Sequence, residues 1–566
     1  MILRQNNNWL YFTLIVVAVL LLPSVLASFE LCDSGFYVTF YDNIFRAPES
    51  VEYNFMYYLS GVVGGVVNSL VATGNFLILR TTGLLFLLAS VIITWRYTSG
   101  LCSPGVRCMA IICIMAAYAS SPVLFNYDSL SIFLLTLAVG LLVKGIECLS
   151  GPKIFMAGVI TGIMVFARIP NILQFALIIL IPVYTHAAGG KKWRFSLLYA
   201  GGYFTGISAI ILLMIILGHW KVFVKNIFTL FSLSADSESS HSLWNLIAVQ
   251  AYYYIGLLKT AIKFFILFIY IALSVRAITN KWLCGLLLVP AAVACIYLIL
   301  TVSAVEVIGA TVLPALILIC IKYKLKNESL VAGGALLSSL IFPLGSDGVT
   351  NAGSIIYLLG SAPALWYWLN FRITLKGRIL KIPGISIWMT ALFLSFKCLV
   401  STLCGGFYFD GTPLSEMKAM SSSPKLKGVL MSPQRAKIVD ETVNLLDKYV
   451  SPGDTLFVFG SAPMFNYLTD TRPYLGNSWP ELFSSSRLGD LLEEEEKKGI
   501  YPVICVQRFR TIGETWGTPS DEFMKGEGSD SNVFHNSDKW IVISDFLRRN
   551  NYQKADSTAN FVIYRR

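Results

Sequence analysis

The sequence predicts a multi-pass α-helical membrane protein of about 13 transmembrane helices, followed by a C-terminal α/β domain on the outer face of the membrane. Of the 566 residues, 55% are hydrophobic and only 14% are charged, and the mean hydropathy is +0.65. Soluble domains carry about 25% charged residues, so this composition excludes a soluble globular protein. Twelve of the 33 acidic residues lie in 1–402 and the other 21 lie in 403–566. The chain therefore divides near residue 402 into a membrane domain, 1–402, and a soluble domain, 403–566.

Apolar runs define the membrane topology. Runs of about 20 apolar residues can cross a bilayer, and clusters of Lys and Arg mark the loops on the cytoplasmic side. With the N-terminus inside, the spans alternate so that the Lys and Arg clusters all lie inside. Segment 29–79 and the whole of 403–566 are then extracytoplasmic. The predicted spans are 9–28, 80–95, 108–122, 129–143, 154–168, 171–185, 196–218, 251–275, 283–302, 306–321, 329–344, 353–370 and 385–402.

Two apolar segments near the N-terminus can each be interpreted in two ways. The tripeptide Val25-Leu26-Ala27 would fit a signal-peptide cleavage site, but the run 9–28 is long enough to span and the later loops need an inside start. We therefore favour an uncleaved anchor. The glycine-rich stretch 55–71 is open between a span and interfacial helices. As a span it would invert every later loop, so it is predicted to lie in the membrane interface.

The soluble domain alternates helical and extended patterns. Helical periodicity covers 433–450, 488–498 and 539–550, and short apolar strands follow at 455–459, 501–506 and 560–564. Such alternation is typical of a small α/β domain. The net charge of +11 comes from Lys and Arg dispersed between apolar runs, with no basic stripe. Topology explains this excess, so membrane lipids rather than nucleic acid are the predicted partners.

Three polar clusters fall on the predicted outer side. The first follows the first span and contains Asp33, Asp42 and Arg46, and the second is Asp128 at the start of the fourth span. The third is the glycine-rich loop 345–354. Its backbone N–H groups and small polar side chains suit an anion or a sugar. The candidate binding residues in this loop are Ser346, Asp347 and Asn351.

The order of these features resembles the GT-C glycosyltransferases, in particular the group of protein O-mannosyltransferases and lipid A aminoarabinose transferases. The resemblance covers nearly the whole chain and rests on four features. The first outer loop contains an acid, Asp33, and the next span begins with Arg80. A later span begins with the acid of Asp128-Ser-Leu, and a turn of the Arg-Pro type follows at Arg168-Ile-Pro. The sequence departs from the family pattern at the residue expected to contact the phosphate. Relatives often place a Lys in the first outer loop, and segment 29–79 contains none.

The resemblance implies transfer of a sugar from a polyprenyl-phosphate donor to an acceptor hydroxyl at the outer face of the cell inner membrane. The acceptor is open between a lipid, a protein and a glycan. A general base must take the proton of the acceptor, and Asp33 is the candidate. Asp128 would orient Asp33 or help to hold a divalent cation, a requirement the sequence leaves open. Asp42, Arg46, Arg80 and Arg168 would bind the donor, and the leaving phosphate needs cationic partners.

Two rival functions come from other classes. A transporter or lipid flippase would have a similar number of spans, but such carriers show internal repeats and broken helices, and none is evident in the sequence. A receptor or scaffold would leave the acids of the outer loops without a purpose. The enzyme is therefore the favoured interpretation.

Overall fold

The fold is described from a computed structural model. The described residues are 2–71, 74–121, 123–185, 191–235, 243–277, 281–344, 353–371, 373–375, 378–380, 393, 396–401, 403–404, 406–528 and 531–566. Most of the predicted last span, 385–402, and the loop residues Ser346, Asp347 and Asn351 lie outside this set.

The first two thirds of the chain form a bundle of apolar helices. Two 3-10 helices, Pro48–Tyr57 and Ile169–Ile179, interrupt the series, and a third, Gly353–Tyr357, precedes the last long helix. The α-helices are α1 Ile2–Leu26, α2 Asp33–Asn43, α3 Tyr58–Ser69, α4 Phe76–Tyr97, α5 Pro104–Tyr118, α6 Tyr127–Glu147, α7 Gly151–Met164, α8 Leu180–Tyr184, α9 Lys191–Ile216, α10 Trp220–Ala235, α11 Leu243–Ala277, α12 Lys281–Thr301, α13 Ala304–Lys322, α14 Asn327–Ile341 and α15 Leu358–Asn370.

Six helices among the described residues are long and apolar enough to cross a membrane. They are Asn7–Leu26, Phe76–Tyr97, Tyr127–Glu147, Trp193–Ile216, Trp244–Ile271 and Ala304–Lys322. Other predicted spans correspond to shorter apolar helices, such as Pro104–Tyr118 and Gly151–Met164. The multi-pass helical architecture is thus present, whereas the number of about 13 spans stays a prediction. Helix α3 has 12 residues, fewer than the roughly 20 that a span requires.

Helices α7 and α9 cross at glycines. Gly158 and Gly162 face α9, where an added Cβ would overlap the carbonyl oxygens of Tyr199 and Tyr203. On α9, a Cβ on Gly202 or Gly206 would likewise overlap carbonyl oxygens of α7. Four glycines at i, i+4 spacing therefore bring the two backbones into direct contact, as small residues do between membrane helices.

The soluble domain 403–566, which we call the tail, carries the predicted α/β fold. After the short hairpin β1 (Ile373–Leu375) and β2 (Arg378–Leu380), five strands form a sheet in the order β4-β3-β5-β7-β6. Strand β3 pairs in parallel with β4 and β5, and β7 pairs antiparallel with β5 and β6. The strands are β3 Thr455–Phe459, β4 Arg472–Pro473, β5 Val503–Gln507, β6 Gln553–Ser557 and β7 Phe561–Arg565. The helices around them are α16 Pro433–Leu446, α17 Met464–Leu468, α18 Ser485–Lys497, α19 Asp521–Met524 and α20 Ser537–Arg549.

The predicted strands of the tail are confirmed, and two were not foreseen. Strand β3 has the predicted bounds, and β5 and β7 lie within two residues of theirs. The polar strand β6 escaped prediction because it is an exposed edge strand without alternating apolar residues. Strand β4 has only two residues, too few to leave a pattern.

The tail packs directly on the junction between α1 and α2. The Leu430 N–H donates to the Leu26 carbonyl at 2.8 Å, and the Met464 N–H donates to the Leu31 carbonyl at 3.1 Å. A Cβ on Gly35 would overlap the backbone of Met464, so only glycine allows this approach. Segments of the tail around Leu430 and Met464 are therefore held against the end of α1 and the first turn of α2 by backbone contacts.

Candidate functional site: an acidic cavity beneath the tail

Asp33 is the first residue of α2. The buried Glu30 side chain fixes this helix start, because it accepts the N–H of Cys32 at 2.6 Å and also the N–H of Ser34. A carboxylate at this position satisfies two N–H groups that a helix N-terminus leaves without partners. Glu30 was missed in the sequence, although an acid just before a helix start is a recognisable capping signal.

Asp128 lies in the first turn of α6. Helix capping does not require it, because Asn126 accepts the Ser129 N–H at 2.9 Å and Ser129 Oγ accepts the Asn126 N–H at 3.0 Å. Arg168 lies behind Asp128, with 4.0 Å between Arg168 Nη1 and Asp128 Oδ1. The Arg168 guanidinium also donates to the Phe342 and Leu344 carbonyls at 2.9 and 3.1 Å. Asp128 is thus a nearly buried carboxylate beside a cation that is itself fixed in place.

Asp33 and Asp128 line the same cavity, which we call the acidic cavity. It has a volume of about 190 Å³ and lies between the start of α2, the residues before α6 and the tail. No Lys or Arg is among its described lining residues, whereas nine of the sixteen are aromatic. The lining consists of Asp33, Ser34, Phe36, Tyr37, Tyr53, Tyr57, Leu124, Asn126, Tyr127, Asp128, Tyr408, Phe409, Trp479, Leu482, Ile512 and Phe534.

Tyr408 joins the tail to the candidate base. Its hydroxyl donates to Asp33 Oδ2 at 2.9 Å. Burial, followed by the nearby Asp33 charge, raises the pKa of Tyr408 well above its ordinary value, so the phenol stays protonated and acts as the donor. A hydrogen bond donated to a carboxylate stabilises its ionised form. The donor of this hydrogen bond to Asp33 lies 375 positions away in the chain.

A buried ion pair holds the turn that carries Tyr408. Asp410 is fully buried, accepts the Phe29 N–H at 2.9 Å and lies 3.4 Å from Arg435 Nη2. Arg435 donates to the Phe409 carbonyl at 3.0 Å, and its guanidinium lies 4.4 Å from the ring centre of Trp516. Removing one partner of such a pair would leave a buried charge uncompensated. These contacts fix the Tyr408 hydroxyl relative to the end of α1.

Besides Tyr408, three rings from the tail line the cavity, and we call Phe409, Trp479 and Phe534 its aromatic wall. Trp479 Nε1 donates to Glu481 Oε2 at 3.3 Å, and Ser461 Oγ donates to the same oxygen at 2.8 Å. Trp479, one ring of the aromatic wall, is thus attached to a buried polar network.

His535 completes this network as a buried cation. Its Nδ1 lies 2.5 Å from Glu481 Oε1 and its Nε2 lies 2.7 Å from the Phe523 carbonyl. Both partners are acceptors, so both ring nitrogens must donate. Burial alone lowers the pKa of His535, but the Glu481 carboxylate outweighs it and raises the pKa above its ordinary value. The imidazolium fixes the position of Glu481 beneath Trp479.

Arg80 was predicted to contact the donor, and that role stays a prediction. Its guanidinium donates to the carbonyls of Ala27 and Ser28 at 2.9 and 2.8 Å and stacks on Phe76. Unpaired carbonyls at a helix C-terminus attract cations, so this geometry favours a role in closing the end of α1. Arg80 does not line the acidic cavity.

Asp42 and Arg46 are likewise apart from Asp33. Asp42 is nine residues along α2, about 14 Å at 1.5 Å per residue. There it accepts from Asn68 Nδ2 at 3.1 Å and pairs with Arg46, and Lys425 Nζ lies 3.9 Å away. Lys425 also lies 2.8 Å from Asp470. This cluster ties α2 to the tail, and neither Asp42 nor Arg46 lines the cavity.

The residues that could hold a metal ion are Asp33 and Asp128. The described part of the chain contains no group of three or more His, Cys, Asp or Glu side chains suited to a metal. Two carboxylates fit a hard cation such as Mg²⁺, which usually takes one or two protein carboxylates and completes its shell with water and substrate phosphate. The cavity therefore offers a partial ligand set.

No family model and no curated protein matches the chain. The chain is similar to the oligosaccharyltransferase of Archaeoglobus fulgidus in two solved structures. One is a complex with zinc and sulfate, with 11% identity, coverage of 88% of this chain and 67% of that chain, and a TM-score of 0.47. The other carries a tethered acceptor peptide containing the NVT sequon, with 11% identity, coverage of 88% and 69%, and a TM-score of 0.43. Both TM-scores lie below 0.5.

Proposed function

We propose that this protein is a membrane glycosyltransferase of the GT-C type, which moves a sugar from a polyprenyl-phosphate donor to an acceptor hydroxyl at the outer face of the cell membrane. The observation that carries the proposal is the meeting of Asp33 and Asp128 in one cavity between the helix bundle and the tail. Paired acids in a concave, aromatic-lined site are typical of catalysis rather than of a solvated loop.

The reaction assigns one role to each group. The acceptor oxygen attacks C1 of the donor sugar, its proton passes to Asp33, and the bond between C1 and the phosphate oxygen breaks as the polyprenyl phosphate leaves. Attack opposite the leaving group inverts the configuration at C1. Tyr408 is a positioning residue, because its hydroxyl donates to Asp33 Oδ2 and holds the carboxylate in place. Asp128, set by Arg168, orients Asp33 or helps to hold a divalent cation that would offset the charge of the phosphate.

A transfer assay with the purified full-length protein in lipid nanodiscs tests this proposal. The donors are radiolabelled mannose, glucose and galactose, each linked either to polyprenyl phosphate or to a nucleotide, and the acceptors are lipid, peptide and glycan hydroxyls. We expect transfer from a polyprenyl-phosphate donor only, and EDTA with Mg²⁺ add-back measures the need for a cation. Transfer from nucleotide sugars alone would contradict the donor class. Movement of labelled lipid across vesicles, without transfer, would favour the flippase.

Replacing Tyr408 with Phe should change the pH dependence of transfer. The substitution removes a hydrogen bond to a charged group, which contributes about 1.5 kcal/mol, and 1.36 kcal/mol corresponds to one pH unit. Protonated Asp33 becomes easier to form, so the acid limb of kcat/KM should move to higher pH by about one unit. Tyr449→Phe, in a tyrosine remote from the cavity, serves as the control. An unmoved acid limb in Tyr408→Phe would show that Tyr408 does not set the ionisation of the base.

A further inference from the structure

The acidic cavity suits a neutral polyol better than an anion. Its acids are Asp33 and Asp128, and no Lys or Arg is among the described residues that line it. Two carboxylates repel a phosphate unless a divalent cation lies between them and it, and Arg168, behind Asp128, offsets only part of their charge. The phosphate of a donor, and with it the attached C1, should therefore lie at the mouth of the cavity. The group that fills the cavity beside Asp33 is then the acceptor.

The rings of the cavity are held in fixed orientations. Tyr57 and Tyr127 stack with 4.2 Å between ring centres and 8° between ring planes. Across the cavity, Trp479 and Phe534 lie 5.7 Å apart at 34°. A sugar ring presents C–H groups on its faces and hydroxyls at its edge. It can therefore pack a face on these rings while the hydroxyls bond to carboxylates and phenols.

Phenols of the lining, among them Tyr37 and Tyr408, stay protonated and can donate hydrogen bonds. Burial, followed by the charges of neighbouring groups, raises the pKa of Tyr37 well above its ordinary value, as it does for Tyr408. Five of the sixteen lining residues are tyrosines. Tyrosine combines a flat apolar face with a hydroxyl that can donate and accept, which is the combination that a polyol requires. A peptide acceptor would more often be bound along its backbone at a strand edge, and the described lining is made of helix starts, turns and aromatic side chains.

The size of the cavity favours a single ring as its occupant. Its volume of about 190 Å³ is below the range of about 300–1,000 Å³ that drug-sized ligands occupy. From these observations we infer that the acceptor hydroxyl belongs to the terminal sugar of a glycan, whose ring packs against Trp479 and Tyr57 within reach of Asp33. This inference rests on the proposed function, because it assigns the acceptor of the proposed transfer.

Saturation-transfer NMR on the full-length protein in nanodiscs tests the inference without catalysis. The probes are the methyl glycosides of glucose, galactose, mannose and N-acetylglucosamine, compared with the blocked tripeptides acetyl-Ala-Ser-Ala-amide and acetyl-Ala-Thr-Ala-amide. We expect saturation of the ring C–H protons of at least one glycoside, reduced at least threefold in Trp479→Ala and retained in Trp540→Ala. Trp540 is a tryptophan of the same domain that does not line the cavity. Asp33→Asn should keep this binding.

Phe534→Leu provides a second variant should Trp479→Ala unfold the tail, because Phe534 is only partly buried. A glycoside signal that neither variant reduces would overturn the inference, as would the absence of any glycoside signal or tripeptide binding that depends on Trp479. The proposed function fails differently. Transfer to a peptide hydroxyl would contradict the glycan acceptor but support the glycosyltransferase. Glycoside binding without any transfer would support sugar binding in the cavity but contradict the glycosyltransferase.

Discussion

Replacing Asp33 with Asn is expected to lower kcat of sugar transfer by about 10²–10⁴-fold, the usual contribution of a general base. The amide has nearly the shape of the carboxylate and can still accept from Tyr408, whose hydroxyl lies 2.9 Å from Asp33 Oδ2. It cannot take the proton of the acceptor. The loss should therefore appear in kcat, measured with saturating donor and acceptor, and KM should change little because binding groups are retained.

Two companion variants sharpen this result. Asp33→Glu keeps the carboxylate but displaces it by one methylene, so we expect activity between those of the wild type and of Asp33→Asn. Asp490→Asn makes the same chemical change at an exposed acid of α18 and should leave transfer unchanged. An Asp33→Asn enzyme within about threefold of the wild type, under 1 kcal/mol of transition-state stabilisation, would show that Asp33 is not the base. A large loss in Asp128→Asn alone would move that role to Asp128.

The two acids show how much of the candidate site the sequence predicts. Asp33 and Asp128 were chosen because each is an acid beside an apolar run, a signal that lies within a few residues of the chain. The structure places both in one cavity lining, and their chemical roles stay predictions. The membrane character of the helices and the sheet of the tail followed from composition and periodicity in the same local way.

The rest of the site depends on contacts between distant segments. Tyr408 and Trp479 belong to the tail, and only the docking of the tail on α2 brings them to Asp33. The predicted cationic site residues show the opposite case, because their side chains contact partners that the sequence did not indicate. Arg80 is directed to carbonyls at the end of α1, and Arg46 is directed to Asp42. No pattern of neighbouring residues reveals which acceptor a guanidinium will find. Besides Glu30, a second local signal was overlooked in the turn containing Tyr408, where glycines flank three aromatic residues.

The spacing of glycines in α7 and α9 was also visible in the sequence, but the pairing of the two helices was not. Gly202→Leu is expected to prevent this pairing, because its Cβ would overlap the Phe155 carbonyl oxygen of α7. Neither backbone can withdraw without separating the helices, so the cost should reach about 3 kcal/mol or more. The apparent melting temperature in detergent should fall by about 5 °C or more, with a smaller monodisperse fraction on size-exclusion chromatography.

Gly201 offers the matched control, since it precedes Gly202 on α9 and nothing lies within 4 Å of the position of its Cβ. Gly201→Leu should be neutral or slightly stabilising, because leucine has a higher helix propensity than glycine. The pairing of α7 and α9 also affects the site, because α7 ends four residues before Arg168, the cation behind Asp128. In any Gly202→Leu protein that still folds, transfer should therefore fall along with stability. Equal melting temperatures for the two leucine variants would show that α7 and α9 do not meet at these glycines.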